Sequence, residues 1–365
     1  MHSRIFVFSV ALTAIALVAS ACSGDSADDT TTTTSTTLAP VTTVAAPETT
    51  TTTETPETTT TTTEPELEVA DSINGLPASD DLIDRRVIAV KIDNHPKARP
   101  QSGLQLADAV YEIRVEGGLT RFIALFHQND SEYVGPNRSG RPTDAAVLKH
   151  FDPVFQVSGA QPWVQKVFRA EGVRIVYDNG VATYRISTRS APQNLYMSTE
   201  ALRGYADDIG WADDNPGNLF PYGEPTQSAE QAEIVTIEFS DADPSVWHWD
   251  GEMYQRFIGD EPHMWVDEDG EQGQIAFDTV VAMKGQQYVA SPPSGSSGSS
   301  VPATKTTGSG DAYVFSNGTV TAGTWSRETT SDPFDLFTED GDQIVIAPGR
   351  IWISIVPDTR PITWE

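Results

Sequence analysis

A single cysteine, Cys22, is all the thiol chemistry this 365-residue chain possesses. One thiol leaves no intrachain disulfide, no cysteine-based zinc site and no cysteine nucleophile in the region able to fold. Cations are also scarce. Against 52 Asp and Glu stand 23 Lys and Arg, a formal net charge of −29, which repels nucleic acid and anionic lipid surfaces. Long apolar runs are missing too: the most apolar stretch, residues 5–19, is shorter than the about 20 residues a membrane-spanning helix needs. There is no Walker loop, no Gly-x-Ser-x-Gly elbow and no dinucleotide fingerprint. His95, His127, His150, His248 and His263 are scattered without ligand spacing. The sequence therefore predicts no metal site and no cofactor.

What is present at the start is an address. Arg4 precedes the apolar stretch, and the small residues Ala19, Ser20 and Ala21 lead directly into Cys22. A charged start, a short apolar core and small residues before a cleavage point describe a secretory signal over residues 1–21. The run into Cys22 resembles a bacterial lipobox, with Ala19 where that motif prefers Leu. The resemblance implies lipidation of Cys22, and a diacylated cysteine supplies the two chains that stable anchoring needs. The expected location is extracytoplasmic, lipid-anchored to the outer face of the cytoplasmic membrane. Residues 22–70 are mostly Thr with Pro, Ala, Glu and Asp. Such a segment lacks the apolar side chains that offset folding entropy, so it reads as a disordered linker reaching about 40 Å or more.

The charge is unevenly distributed. Residues 1–84 carry net −12, residues 85–189 carry net +5, and residues 190–365 carry net −22. A basic window inside a very acidic chain either attracts the acidic half or binds an anion.

Within residues 71–225 strand and helix patterns alternate. Residues 86–93 read as a buried strand, 94–102 as an irregular loop and 103–109 as a short helix. Residues 110–116 alternate, Gly117-Gly118 supplies a hairpin turn, and 119–126 returns. Helices are expected over 143–150 and 163–170, each followed by a strand, 153–157 and 173–177; Ser198 has N-cap chemistry for a further helix to Asp208. From Glu233 onward short alternating strands dominate, including 234–239, 280–283 and 344–346, with 291–310 as a flexible loop and Ser309-Gly310-Asp311 as a turn. Trp247, Trp249 and Trp265 lie at positions suited to core packing, and Asp267-Glu-Asp-Gly270 reads as a connecting turn. The fold class is α+β: an α/β domain over 71–225, then a mostly β domain over 226–365, preceded by the disordered stalk.

Several long motifs recur in order: Ile92-Asp-Asn-His-Pro-Lys-Ala-Arg-Pro-Gln-Ser-Gly-Leu104, Ala107-Asp-Ala-Val-Tyr-Glu112, Val115-Glu-Gly-Gly-Leu-Thr-Arg-Phe122 and Val134-Gly-Pro-Asn-Arg-Ser-Gly-Arg-Pro142. Further on come Gly308-Ser-Gly-Asp-Ala-Tyr-Val-Phe315, Trp325 and Pro348-Gly-Arg-Ile-Trp-Ile353. With these the chain resembles the YerB-like lipoprotein family over nearly all of residues 75–365. The resemblance implies a two-domain lipoprotein, with no chemistry attached. Where the family pattern has a His before a Gly-Gly-Ser-Pro run, this chain has Val157; where it has Pro-His-Asn-Leu-Tyr, this chain has Gln193. Any histidine pair working in relatives is absent from this member.

The candidate site lies in the loops of the basic window. Arg121, Arg138 and Arg141 offer planar forks suited to carboxylate or phosphate, and Asn94 and Thr120 add hydrogen-bond donors. The competing reading pairs these arginines with Asp93, Glu112 and Glu116 to hold the loops together. Glu112 and Glu116, four residues apart on one strand, would stand roughly 13 Å apart, too far to act alone as a glycosidase pair. The expected function is a non-catalytic envelope module binding an anionic cell-wall fragment or an envelope protein. Two alternatives stand beside it: a hydrolase or transferase using Asp93 or Glu116 as base, and a scaffold for membrane-bound synthases.

Overall fold

The computed structural model describes residues 69–211 and 213–365. The expected leader, the lipidated Cys22 and nearly all of the threonine linker lie outside the described residues.

The centre of the fold is a mixed ten-stranded sheet. Its order is Asp335–Thr338, Thr319–Arg327, Gly308–Ser316, Thr279–Gly285, Ile351–Pro357, Ala109–Arg114, Thr120–Phe126, Ile88–Asp93, Val154–Gln156 and Arg174–Val176. Strand Ile351–Pro357 runs parallel to both of its neighbours, Thr279–Gly285 and Ala109–Arg114. Every residue in it is buried, as its nearly unbroken apolar sequence requires of a parallel strand covered on both faces. The last long strand thus joins the two halves of the chain in one sheet, and residues on either side of the expected 225/226 boundary share it.

Period-two alternation sorts the side chains of this sheet onto two faces. On one, Ala89, Tyr111, Ile113, Ile123, Leu125 and Ile353 pack under helices Pro142–Leu148 and Pro162–Glu171, which contribute Leu148, Val164 and Phe168. On the other, Val90, Ile92, Val110, Phe122 and Trp352 meet helix Thr199–Asp208 and a second antiparallel sheet. That sheet is built on Ser245–Trp249, flanked by Tyr254–Ile258 and Ile234–Ile237, with the terminal strand Ile362–Trp364 at one edge. Trp247, Phe277 and Trp352 interlock edge to face between the sheets, with ring centroids 5.2–6.5 Å apart. Together the described residues make one compact unit.

Local signals explain the helices. Pro162 opens the second helix where its missing N–H is no loss, and Gly172 closes it at φ 73. Ser198 caps the third helix by accepting from the Ala201 N–H at 3.1 Å. All α-helices of the described residues precede residue 212 and strands dominate after it, so the α/β half followed by a mostly β half is as the patterns indicate.

Four local expectations are corrected. Residues 344–346 are not a strand: Ile346 makes only a bridge to Tyr222. Residues 291–310 are not one loop, because Val301–Thr304 pairs with Gln287–Ala290 and the next strand begins at Gly308. Ser309, Gly310 and Asp311 lie inside that strand, opposite Ser326, Trp325 and Thr324. A Cβ at Gly310 would stand 2.2 Å from the Lys284 carbonyl oxygen. Glycine there permits close strand approach rather than a turn. The helix expected over 103–109 is a single 3-10 turn, Leu104–Leu106, with Ala109 already in the next strand.

Candidate functional site

Asp93 ends strand Ile88–Asp93, and the antiparallel register sets it directly opposite Arg121 near the start of Thr120–Phe126. Both side chains share the helix-covered face with Lys91. The polar segment 137–141 crosses this end of the sheet. Its Arg138 N–H donates to the Lys91 carbonyl at 2.8 Å, its Arg138 carbonyl accepts from Ser158 N–H at 3.1 Å, and Gly140 N–H donates to the Gly159 carbonyl at 2.9 Å. It therefore lies across the carboxyl ends of two parallel strands, Ile88–Asp93 and Val154–Gln156, where open α/β sheets place their ligands.

Three arginines converge there. Arg121 Nη1 donates to the Ser139 carbonyl at 2.7 Å, while its Nε stands 3.8 Å from Asp93 Oδ1, beyond hydrogen-bond reach. Arg141 Nε donates to Glu116 Oε2 at 2.8 Å, and its Nη1 to the Gly140 carbonyl at 2.9 Å. Arg138 is different. Its Nε is 3.3 Å from Asp93 Oδ2, its side chain is 27% exposed, and its terminal nitrogens make no hydrogen bond to the described residues. Behind them Lys91 Nζ sits 2.7 Å from Asp144 Oδ1, both fully buried. Four cations, Lys91, Arg121, Arg138 and Arg141, face three acids, Asp93, Glu116 and Asp144, leaving one positive charge in excess.

The protonation states follow from burial. Desolvation pulls Lys91 down to about 8, with the Asp144 charge opposing it. Burial and the neighbouring Arg141 lower Arg121 to about 10, against the pull of Asp93. For Glu116, burial pushes up, but the hydrogen bond and charge of Arg141 outweigh it, and the carboxyl stays below its ordinary range.

Asn94, Glu112 and Thr120 fall on the other face. Asn94 Nδ2 donates to Thr120 Oγ1 at 2.8 Å, and Thr120 donates to Glu112 Oε1 at 2.7 Å. Glu112, 1% exposed, takes Arg256 Nη2 on both oxygens at 2.9 and 3.0 Å and Trp352 Nε1 at 3.1 Å. Arg256 also hydrogen-bonds His263 Nδ1, and His263 Nε2 reaches Gln101 Oε1 at 2.7 Å. Burial, with the charges of Arg256 and Arg99, holds His263 well below its ordinary value. The ring is neutral, accepting at Nδ1 and donating from Nε2.

The sheet thus divides the candidate residues. Arg121, Arg138, Arg141, Asp93 and Glu116 come together on one face; Asn94 and Thr120 belong with Glu112 on the other. Glu112 does not pair with the basic-window arginines, since its partner is Arg256 from the second sheet. Lys91 and Asp144 are not among the sequence candidates, although a lysine inside an apolar strand and an acid three residues into a Pro-started helix were the available signals. Arg256 and Gln101 gave none. Gln193, at one of the positions where relatives carry His, donates to Asp93 Oδ2 at 3.3 Å. Val157, at the other, is buried beside Gly140 of the arginine segment. Among the described residues no group of three or more His, Cys, Asp and Glu side chains is arranged to hold a metal ion.

Comparison with known proteins finds relatives along most of the chain. The model described as "Protein of unknown function (DUF3048) N-terminal domain" matches residues 73–212, and that of the corresponding C-terminal domain matches residues 235–353. The chain is 27% identical over 295 residues, 78% of its length and 86% of the relative's, to "Putative lipoprotein YerB" of Bacillus subtilis strain 168. The crystal structure of YerB protein from Bacillus subtilis superposes with a TM-score of 0.67 at 25% identity, covering 81% of this chain and 99% of that one.

Proposed function

From the premise that the chain belongs to the DUF3048 family through both domains, we propose that it is a cell-envelope lipoprotein whose folded part is a non-catalytic binding module for an anionic cell-wall fragment or envelope protein. Similarity to "Putative lipoprotein YerB" supports a membrane-anchored, extracytoplasmic location, with Cys22 as the lipidated residue. The observation that carries the binding reading is Arg138. A part-exposed guanidinium with both terminal nitrogens uncommitted, beside Arg121 and Arg141 and one charge short of neutrality, is arranged for a carboxylate or phosphate. Arg138 takes the anion, Arg121 extends the positive field, and Arg141 holds the segment in place through Glu116 and the carbonyls of Ser139 and Gly140.

The hydrolase or transferase reading is less well supported. A general base works best with a pKa near the operating pH, whereas Glu116 is held below its ordinary range by Arg141. Asp93 is engaged by Arg138 and Gln193.

The test is native mass spectrometry of the protein with muropeptides, wall-polymer fragments and nucleotides, alongside Arg138→Ala. An adduct lost in the variant supports the arginine cleft. A change in ligand mass makes the protein an enzyme instead. No adduct in the whole panel rejects a small anionic ligand of these classes and directs the search to a protein partner, for which the acidic second half is the natural contact surface.

A further inference from the structure

On the opposite face from the arginine cluster a cavity opens between the two sheets, lined by Thr120 and Glu112 from one and by Ser245 and Arg256 from the other. It encloses about 130 Å³, below the range of drug-sized ligand sites, and so suits only a very small molecule. Its wall is built from buried polar groups: Asn94, Glu112, Thr120, Ser245 and Arg256 are each at least nine-tenths buried. Two of their atoms, Arg256 Nε and Ser245 Oγ, have no hydrogen-bond partner among the described residues. Unpaired buried polar atoms carry a desolvation penalty, which a ligand oxygen would relieve.

Two further groups stand at the cavity. Arg99 spends Nε and Nη2 on the side-chain and backbone oxygens of Asn94, leaving Nη1 uncommitted among the described residues. Asp243 is exposed and makes no hydrogen bond or ion pair among the described residues, yet is near enough for its charge to act on Arg99. The charges lining the cavity balance: Arg99 and Arg256 against Glu112 and Asp243. The arginine cluster, with its positive excess, suits an anion; this cavity suits a ligand carrying both signs. Leu119, Phe239 and Ile258 complete the wall with apolar surface.

We propose that this cavity binds a small α-amino acid, its carboxylate on Arg99 and Ser245, its ammonium on Asp243, and its side chain against Leu119, Phe239 and Ile258. The site is independent of the arginine cluster, which lies across the sheet.

The experiment is isothermal titration of the full-length protein in detergent, carrying Arg138→Ala so that the carboxylate contact across the sheet is removed, with L-alanine and D-alanine, and with acetate and ethylammonium as single-charge controls. At least one alanine isomer is expected to bind, and neither control to match it. Asp243→Asn and Arg99→Gln, each added to that background, are expected to weaken binding about tenfold or more. Asp243 is exposed and unpaired, so its substitution tests the site without endangering the fold. No heat from either isomer at about 10 mM, equal binding of acetate, or binding that survives both substitutions overturns the proposal.

Discussion

Lys91 Nζ lies 2.7 Å from Asp144 Oδ1, and neither side chain is exposed to solvent. The lysine comes from the middle of an apolar strand and the aspartate from the first turn of the helix covering it. Asp144 Oδ2 also accepts from the Arg141 N–H at 2.7 Å, so the pair fastens strand, helix and arginine segment together. Lys91→Met leaves the Asp144 charge buried alone and is expected to cost about 3–5 kcal/mol. Adding Asp144→Leu is expected to restore most of that loss, short of about 1 kcal/mol for the helix-start hydrogen bond. Denaturant titration of the three proteins checks this, and an equal loss in single and double variants would mean the ion pair is not responsible.

The same lysine sets a pH dependence. Its folded value, about 8, is below the ordinary 10.5 because burial disfavours the charged form. Between those values the unfolded chain binds more protons than the folded one, so this group adds stability as pH rises. Below about 8 the penalty for burying the charge is fully present. Relative to Lys91→Met, the native protein is expected to gain stability from pH 8 towards 10.5, by at most about 3 kcal/mol. Unfolding midpoints of both proteins across that range test it, and parallel curves would reject it.

Arg138 and Arg141 are expected to part company in stability. Arg138→Ala removes a part-exposed ion pair and costs under about 1 kcal/mol. Arg141→Ala strips donors from the Ser139 and Gly140 carbonyls as well as from Glu116, at about 1–3 kcal/mol. Thermal unfolding of the two variants decides; a larger loss for Arg138→Ala would make it a structural residue rather than a ligand contact.

Glu112→Gln keeps the shape of the side chain but leaves the Arg256 guanidinium buried without its counter-charge among Phe122, Trp247 and Trp352. The expected loss is about 3–5 kcal/mol, read by denaturant titration. A neutral result would mean that the aromatic rings alone hold the cation.

The hairpin glycines differ in a measurable way. Gly117 has φ 70, and a Cβ there would meet nothing within 4 Å, so Gly117→Ala costs only the left-handed backbone term, about 1–2 kcal/mol. Gly118 has φ 74 and would also place a Cβ 3.0 Å from Ser240 Oγ. Gly118→Ala is expected to be the more destabilising of the two, and the reverse order would contradict the Ser240 contact.

Much of this was legible locally. Apolar runs, alternation, the Gly117-Gly118 turn and the Ser198 cap place most strands and helices, because each signal acts over a few residues of chain. Composition fixed the absence of disulfides with one cysteine, and the order of long motifs identified the family. Residue type marks Arg121, Arg138 and Arg141 as suited to anions, and Asp93, Glu116 and the Ser139 carbonyl bring their guanidiniums to one end of the sheet.

What only the tertiary structure decided is which groups meet. Asn94 and Thr120 are sequence neighbours of Asp93 and Arg121, yet alternation turns each pair to opposite faces of one sheet. Glu112 finds its partner 144 residues away, in Arg256. Strand Ile351–Pro357 enters the middle of the sheet and makes one layer of the two halves. Periodicity specifies that a face is buried, not what buries it, so the identity of the covering element is settled by packing across the whole chain.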